Sequence, residues 1–122
     1  MPKHLELGKK GEDFACEYLV EKEFKILERN FRRPWGELDI IAYSPEKILI
    51  FVEVKTMGDL GEHGLRPEDQ MSQSKLKKFR KTAKLYAGEH QDLIDDKKGW
   101  RLDVVTLTRK GKDFLIHHYE NI

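Results

Sequence analysis

The stretch Ile48-Leu49-Ile50-Phe51-Val52-Glu53-Val54-Lys55 joins a run of β-branched and apolar residues to a carboxylate and an ammonium group. Side chains of a β-strand alternate between its two faces, so Phe51, Glu53 and Lys55 share one face while Val52 and Val54 share the other. The strand therefore leads from the buried middle of a sheet to charged groups at its end. Because buried charge is costly unless it is paired or bound to a metal, this pattern predicts a cation beside Glu53.

A second acidic strand is predicted directly before it, over residues 36–42. The connection, residues 43–47, is short and contains a proline, which is typical of the turn of an antiparallel hairpin. If the turn is centred near Glu46, Asp39 lies opposite Glu53 with Cβ atoms roughly 5 Å apart, where like charges repel. Two carboxylates tolerate that position when they share Mg²⁺, which prefers oxygen ligands. The sequence thus predicts a magnesium site at Asp39 and Glu53, with Lys55 facing the same point.

Length and composition limit the class of protein. The chain has 122 residues, 37% of them charged and 39% hydrophobic, with a formal net charge of +1. We expect one domain over residues 1–122, too apolar to be disordered and without a global attraction to polyanions. A single cysteine, Cys16, and an N-terminus without an apolar leader favour a cytoplasmic protein. The longest apolar run, residues 48–52, is too short to span a bilayer, so we expect no membrane contact.

The remaining pattern completes an α/β order. Apolar spacing predicts a helix over residues 4–22, a strand over 24–31 and a second helix that begins after the N-cap Ser72 and stops near Gly88. Two strands follow, over 100–108 and 113–119, and the glycine-rich residues 57–70 are expected to form a loop over one end of the sheet. Short turns predict antiparallel pairs and the crossover through the second helix predicts a parallel pair. The expected fold is a mixed sheet flanked by helices, in the order α-β-β-β-α-β-β.

Each helix carries one charged residue that departs from its pattern. Glu12 projects inside the apolar arc of the first helix, and Gly11 beside it would let this face approach another backbone closely. An acid at the edge of an apolar face usually keeps its head in water, but beside the acidic hairpin a third acid at the site is the better interpretation. In the second helix, Lys75 lies about 40° from the apolar Phe79, whereas most other lysines of that helix fit a solvated face.

Basic and aromatic residues around this site are candidates for contact with a polyanion. The predicted nucleic-acid-binding residues are Arg29, Arg32, Arg33, Lys77, Lys78 and Lys81. Accessory positions are Glu37 and Arg101, although a salt bridge from Glu37 to Arg33 or Arg101 explains Glu37 equally well. Trp35 fits stacking on a base, but a tryptophan beside a turn more often packs in a core or an interface.

These residues resemble a known signature. Asp39 followed across a hairpin by Glu53-Val54-Lys55 is similar to the D…ExK pattern of the restriction-endonuclease-like, or PD-(D/E)xK, fold. More closely, the chain resembles the YraN-type family of small bacterial predicted endonucleases, at Gly8-x-x-Gly11-Glu12, Arg29-Asn30, residues 36–42, residues 51–56, Lys75 and residues 101–105. The match covers nearly the whole chain, and the order and spacing of its segments are specific. Glu12 on a helix is also similar to the pattern of archaeal Holliday-junction resolvases.

The resemblance implies metal-assisted hydrolysis of phosphodiester bonds. Asp39, Glu53 and the backbone carbonyl of Val54 would hold Mg²⁺ or Mn²⁺, and Glu12 would bind the metal directly or through water. Lys55 would orient the attacking water or stabilise developing negative charge, and Lys75 would do the latter from across the site. The similarity to the resolvases implies a homodimer.

Three classes of function remain open on these grounds. The first is an endonuclease acting on DNA, which is favoured over RNA, with branched or damaged DNA as candidate substrates. The second is a nucleic-acid-binding module that keeps the fold without turnover, and the third is a scaffold protein whose acids form salt bridges. Retention of the acids and the lysine argues against the second class, and their shared location argues against the third.

Overall fold

The computed structural model of the chain describes residues 3–57 and 72–122, and the side chains within them from residue 10 onward. The predicted order of elements is confirmed. The elements are α1 (Lys3–Glu21), β1 (Lys25–Arg33), β2 (Gly36–Tyr43), β3 (Leu49–Met57), α2 (Gln73–Glu89), β4 (Trp100–Lys110) and β5 (Asp113–Tyr119). Neither helix combines the length and the apolar character that a membrane span requires in the part of the chain described here.

Five strands form one mixed sheet in which sequence order and spatial order coincide, from β1 to β5. The pairs β1–β2, β2–β3 and β4–β5 are antiparallel because short turns connect them. The crossover through α2 makes β3 and β4 parallel, as the sequence predicted. β3 is the central strand, and its residues from Leu49 to Val52 have no solvent-exposed surface, which accounts for its unbroken apolar run.

The two helices cover opposite faces of the sheet. Ala15 and Leu19 of α1 pack on one side with Ile50 and Val52 of β3. Leu49 and Phe51 alternate to the other side, where they meet the apolar face of α2, including Phe79, Ala83 and Tyr86. Burial of the central strand on both faces fixes its register, because a shift by one residue would exchange the two sets of side chains.

The predicted boundaries differ from the structure mainly at strand ends. β1 continues to Arg33 and β4 to Lys110, because backbone pairing runs on to the hairpin turns after the last apolar residue. Ser72 caps α2 as predicted, its Oγ accepting a hydrogen bond from Lys75 N at 3.3 Å. A short 3-10 helix, Gln91–Leu93, follows α2 and was not predicted. The loop predicted over residues 57–70 lies outside the described residues, apart from Met57, which ends β3.

Candidate functional site

The acidic strands β2 and β3 separate at the point where their acids lie. Their pairing ends at Ile40–Val52, and continuing this register by one residue places Asp39 opposite Glu53, as the alternation of the sequence predicted. Beyond the ladder, the Val54 N–H donates a hydrogen bond of 2.8 Å to Asp39 Oδ2. A side-chain carboxylate thus takes the role of a backbone acceptor, which holds Asp39 against β3.

The two carboxylates perturb each other. Burial, followed by the negative charge of Asp39, raises the pKa of Glu53 to about 7. Burial also raises the pKa of Asp39, against the hydrogen bond from Val54 and the charge of Lys55. Lys55 Nζ lies 3.1 Å from Glu53 Oε1, and these two side chains are only 24% and 19% exposed. One ammonium group therefore compensates part of the negative charge that two neighbouring carboxylates would carry.

A cleft of about 1000 Å³ opens over these acids, with walls from both faces of the sheet. It contains acids and bases from α1, β1, β2, β3 and α2, so that the site is shared by most of the fold. The sequence-predicted residues that line it are Glu12, Arg29, Arg32, Glu37, Asp39, Glu53, Val54, Lys55, Lys75 and Lys78. The alternation of one hairpin and the direction of two helical residues were therefore sufficient to locate the cleft.

Two glycines bring the helices close to this end of the sheet. A Cβ atom on Gly11 of α1 would collide with the side chain of Thr56 on β3, and one on Gly36 of β2 would collide with Thr82 of α2. Close approach at Gly11 is what the sequence predicted. Because Gly11 precedes Glu12 directly, the same contact delivers Glu12 to the cleft.

Glu12 is near the acid pair but does not close a tight triad with it. Burial raises the pKa of Glu12, and the charge of Asp39 raises it further. However, Glu12, Asp39 and Glu53 do not form a group whose ligand oxygens all lie within 4.8 Å of one another, although all three are among the described residues. Both predicted modes for Glu12, direct ligation and contact through a water molecule, stay predictions.

The lysines of α2 point in different directions around the helix, and only some of them line the cleft. Lys75, Lys78 and Thr82 follow one another at i, i+3 and i+7, and all three line the cleft. Lys77 and Lys81 are rotated from Lys75 by about 200° and 240° at 100° per residue, and they are exposed outside the cleft lining. Lys77 and Lys81 therefore do not line the cleft with Lys75 and Lys78, and their contact with nucleic acid stays a prediction.

The two arginines that line the cleft are each held by an acid that also lines it. Arg29 Nη2 donates to Asp13 Oδ1 at 2.8 Å, and Arg32 Nη1 donates to Glu37 Oε2 at 2.6 Å. The predicted salt bridge of Glu37 is therefore formed, but with Arg32 as its partner. Both pairs are substantially exposed, so water and salt weaken them and the arginines exchange partners at small cost.

Arg33 is placed differently from its neighbour Arg32, and its predicted contact with nucleic acid stays a prediction. It is not part of the cleft lining, and its guanidinium carbon lies 4.4 Å from the centre of the Phe31 ring. Its Nη1 donates to the carbonyl oxygen of Arg32 at 2.8 Å. Arg33 alternates to the opposite side of β1 from Arg32, which is why it reaches neither the cleft nor Glu37.

Arg101 does not belong to the candidate site either. Its Nε and Nη2 donate to Oδ1 and Oδ2 of Asp103 at 2.8 and 2.9 Å, and it is absent from the cleft lining. His118 Nε2 and the backbone N–H of Asn121 also bind Asp103, at 2.7 and 3.1 Å. Burial alone would raise the pKa of Asp103, but the hydrogen bonds from His118, Arg101 and Asn121 hold it below its usual range.

Asp103, His118 and Glu120 also bring three ligand atoms within 4.8 Å of one another. Both Asp103 oxygens already accept hydrogen bonds from the guanidinium of Arg101, which lies 3.8 Å from Glu120 Oε1. A divalent cation here would have to displace a positive charge that is bound in a bidentate manner. This cluster is therefore an ion-pair network that ties β4 to β5 and the C-terminal residues.

Sequence reasoning missed several polar residues of the cleft, among them Asp13, Asn30, Thr56 and Thr82. Thr82 was accessible to prediction, because it lies two helical turns from Lys75 on the same face. Asn30 adopts a positive φ of 54°, a conformation that asparagine tolerates better than most residues. Asn30 and Thr56 lie in segments that carry the family resemblance, but no role at the site was predicted for them, and Asp13 has no signal beyond its adjacency to Glu12.

Fold and site together define an α/β domain with a mixed five-stranded sheet flanked by helices, in which two carboxylates and a lysine meet where two central strands diverge. The model of the uncharacterised protein family UPF0102 matches residues 11–107, and the chain belongs to this family, which is the YraN family that the sequence resembles. A UPF0102 protein of Flavobacterium johnsoniae is 37% identical over 118 residues, covering 97% of this chain and 94% of its own. Another, of Thermodesulfovibrio yellowstonii, is 38% identical over 117 residues, covering 96% and 95%.

Proposed function

We propose that this protein is a metal-dependent endonuclease that hydrolyses phosphodiester bonds in DNA. The observation that carries the proposal is the meeting of the Asp39 and Glu53 carboxylates with Lys55 in a cleft that also holds Arg29 and Lys78. A purely structural cluster would balance its charges internally, whereas here two acids face each other and the pKa of Glu53 rises to about 7.

The residues present fit Mg²⁺ or Mn²⁺. Asp39 and Glu53 offer the carboxylate oxygens that these ions prefer, and a divalent cation between them would relieve the repulsion that raises the pKa of Glu53. The Val54 carbonyl would be a third ligand, and Glu12 would hold a water molecule of the outer shell. A bound ion of this kind supplies Lewis-acid polarisation of the phosphate and a more acidic water.

The cationic residues of the cleft would act on the phosphate directly. Lys55 Nζ, fixed at 3.1 Å from Glu53, would orient the attacking water and stabilise negative charge as the bond to phosphorus forms. Lys75 and Lys78 would neutralise non-bridging oxygens from the α2 side. Arg29 and Arg32 would bind the neighbouring phosphates of the strand, exchanging their present carboxylate partners for phosphate oxygens.

A cleavage assay with matched variants tests this proposal. Purified parent protein is incubated with duplex, single-stranded, flap and four-way-junction DNA in Mg²⁺, in Mn²⁺ and in chelator. We expect metal-dependent cleavage of at least one substrate, with a loss of at least a hundredfold in Glu53→Gln and Lys55→Met. The controls Glu89→Gln and Lys84→Met change the same residue types at exposed positions of α2 outside the cleft, and they should cleave like the parent.

Other results of the assay would favour the two remaining classes of function, the binding module and the scaffold. DNA binding that weakens with salt, without cleavage under any condition, would overturn the enzymatic part and favour the binding module. Absence of both DNA binding and metal binding would favour the scaffold. Cleavage that persists unchanged in both Glu53→Gln and Lys55→Met would show that the activity belongs to a contaminant.

A further inference from the structure

The tip of the β1–β2 hairpin presents an aromatic ring next to the cleft. Trp35 lies in the turn between Arg33 and Gly36, and 40% of its surface is exposed. Its ring packs at 5.9 Å, in a tilted arrangement, on Phe31, which is only 3% exposed. Phe31 in turn makes an edge contact at 5.1 Å with Tyr86 of α2. Trp35 is therefore supported by the core although it stands at the surface.

The position of Trp35 relative to the candidate site follows from the hairpin register. Arg32 pairs with Glu37, and both residues line the cleft. Trp35 is two residues from Glu37, roughly 7 Å along the strand direction, and three residues from Arg32. Gly36, its immediate neighbour, packs against Thr82, which also lines the cleft. Trp35 is therefore outside the cleft lining itself, in the turn next to the α2 wall of the cleft.

The surroundings of Trp35 suit a base that follows a phosphate backbone. Arg32 of the same hairpin and Lys78 of α2, one helical turn from Thr82, both line the cleft beside it. Sites that bind single strands combine cations along the backbone with aromatic rings on which bases stack. A turn does not need tryptophan for its geometry, and an indole ring offers a flat face on which a nucleobase can stack.

We propose that Trp35 is a stacking platform for an unpaired nucleobase, so that the preferred ligand of the cleft is a nucleic acid with a single-stranded segment, such as an overhang, a flap or a branch. This inference rests on the proposed function of the cleft. In a continuous duplex every base is stacked between its neighbours and none is offered to the ring. Trp35 thus contributes to discrimination between substrates, while the cations contribute affinity to all of them.

Binding measurements on two tryptophan variants test this proposal without relying on turnover. The chain contains two tryptophans, and Trp100, which packs at 5.5 Å on Phe51, lies at the opposite end of the sheet. In a Trp100→Phe protein, fluorescence reports on Trp35 alone. We expect quenching by a 12-nucleotide single strand and by a duplex with a 12-nucleotide overhang, and little change with a blunt duplex. All binding is measured both in chelator and in Ca²⁺.

Replacing the ring separates stacking from charge. Trp35→Leu keeps an apolar contact with Phe31 and should weaken binding of the single strand and the overhang about tenfold, while blunt duplex binding stays within about twofold. The salt dependence should keep its slope because no phosphate contact is lost. Trp35→Phe, which retains an aromatic face, should recover most of the affinity. Lys78→Met is the matched control: it should lower the salt slope by about one unit and preserve the preference for single strands.

Equal loss of affinity for all ligands in Trp35→Leu, or no loss for any, would overturn the proposal, as would the absence of quenching in Trp100→Phe. If Trp35→Leu unfolds, Trp35→Phe and the quenching measurement still decide. The proposed nuclease activity fails separately: base stacking without cleavage leaves this inference standing, and cleavage without any effect of Trp35 leaves the nuclease standing.

Discussion

Asp39 on β2 is half-buried and Asp103 on β4 is fully buried in the same sheet, and their surroundings shift their pKa values in opposite directions. Asp103 has no exposed surface and accepts hydrogen bonds from Arg101, His118 and Asn121, which keep its pKa low in spite of burial. Burial raises the pKa of Asp39, although the Val54 N–H, the charge of Lys55 and a hydrogen bond with Glu53 act in the opposite direction. The fold surrounds the carboxylate of Asp103 with hydrogen-bond donors, whereas the carboxylate of Asp39 lies beside a second acid and can bind a cation.

The partners of a carboxylate distinguish a structural acid from a functional one more clearly than its burial does. A buried carboxylate whose oxygens are all occupied stabilises the fold, and its removal leaves its cationic partner without compensation. A buried carboxylate beside another acid destabilises the free protein and stabilises it only when a cation binds. The following predictions test whether Asp39 and Asp103 differ in this way.

The largest expected effect is on folding stability at Asp103. Asp103→Asn should lower the free energy of unfolding by about 3 kcal/mol, because Arg101, with 18% of its side chain exposed, loses a bidentate charged partner. Asp39→Asn should leave stability within about 1 kcal/mol of the parent. Urea unfolding of both variants at neutral pH in chelator checks this difference. A larger loss in Asp39→Asn than in Asp103→Asn would reverse the assignment of the two sites.

The second effect is stabilisation by metal. Saturating Mn²⁺, at about 100 times its dissociation constant, should stabilise the parent by about 2.7 kcal/mol and raise its Tm by several degrees. Asp39→Asn and Glu53→Gln should lose this shift. Asp103→Asn should keep it, although it starts from a lower Tm. Thermal unfolding with and without Mn²⁺ is measured for all four proteins. A Tm shift retained in Asp39→Asn but lost in Asp103→Asn would place the metal at Asp103 instead of at Asp39 and Glu53.

The third effect is a pH-dependent gain in stability from Glu53→Gln. The folded-state pKa of Glu53 is about 7 and its ordinary value is 4.5, so the folded protein holds this proton more tightly than the unfolded chain. Stability of the parent therefore falls as pH rises from 4.5 through 7, and the full cost is present above 7. In metal-free buffer the variant should exceed the parent by on the order of 1–2 kcal/mol at pH 8 and match it near pH 4.

Denaturant titrations at several pH values check the curve. A variant that is less stable than the parent at pH 8 would identify the salt bridge between Glu53 and Lys55 as structural. Mn²⁺ affinity of the parent should fall as pH decreases below 7, because the proton on Glu53 competes with the ion.

The smallest effect concerns acid–arginine pairs that are exposed. Arg32 and Glu37 are 68% and 61% exposed, in contrast with 18% and 0% for Arg101 and Asp103. Glu37→Gln should change the free energy of unfolding by no more than about 0.5 kcal/mol. The same substitution frees Arg32 for a phosphate, so DNA affinity at low salt should rise a few-fold. Fluorescence anisotropy with labelled DNA measures this, and Glu89→Gln serves as control. Unchanged or weaker binding would mean that Arg32 contacts no phosphate.

The sequence predicted the acid pair because a short turn centred near Glu46 sets the register that pairs Ile40 with Val52, and one further step along it places Asp39 opposite Glu53. Strict alternation does not continue through Asp39, since Ile40 packs on the α1 side whereas Leu38 and Ile41 both pack on the α2 side. The partners of long side chains were not predictable in the same way. Arg32 binds Glu37 and Arg101 binds Asp103, choices that depend on the three-dimensional course of β1 and β4.

The two helices show what the periodicity of the sequence could predict and what it could not. Periodicity predicted that Lys75 faces the cleft, and applied residue by residue it would also have separated Lys78 from Lys77 and Lys81. The distance from Glu12 to the acid pair depends on how deeply α1 settles on β3 through Gly11, which no period in the sequence encodes.

The hydrogen bond from the Val54 amide to Asp39 Oδ2 has a consequence for spectroscopy. A backbone N–H that donates to a titrating carboxylate changes its proton chemical shift when that carboxylate gains or loses charge. The amide resonance of Val54 should therefore follow the protonation of Asp39 and the arrival of a cation, in an unmodified protein and without a substrate. A single backbone signal would then report the chemical state of a side chain that is otherwise silent.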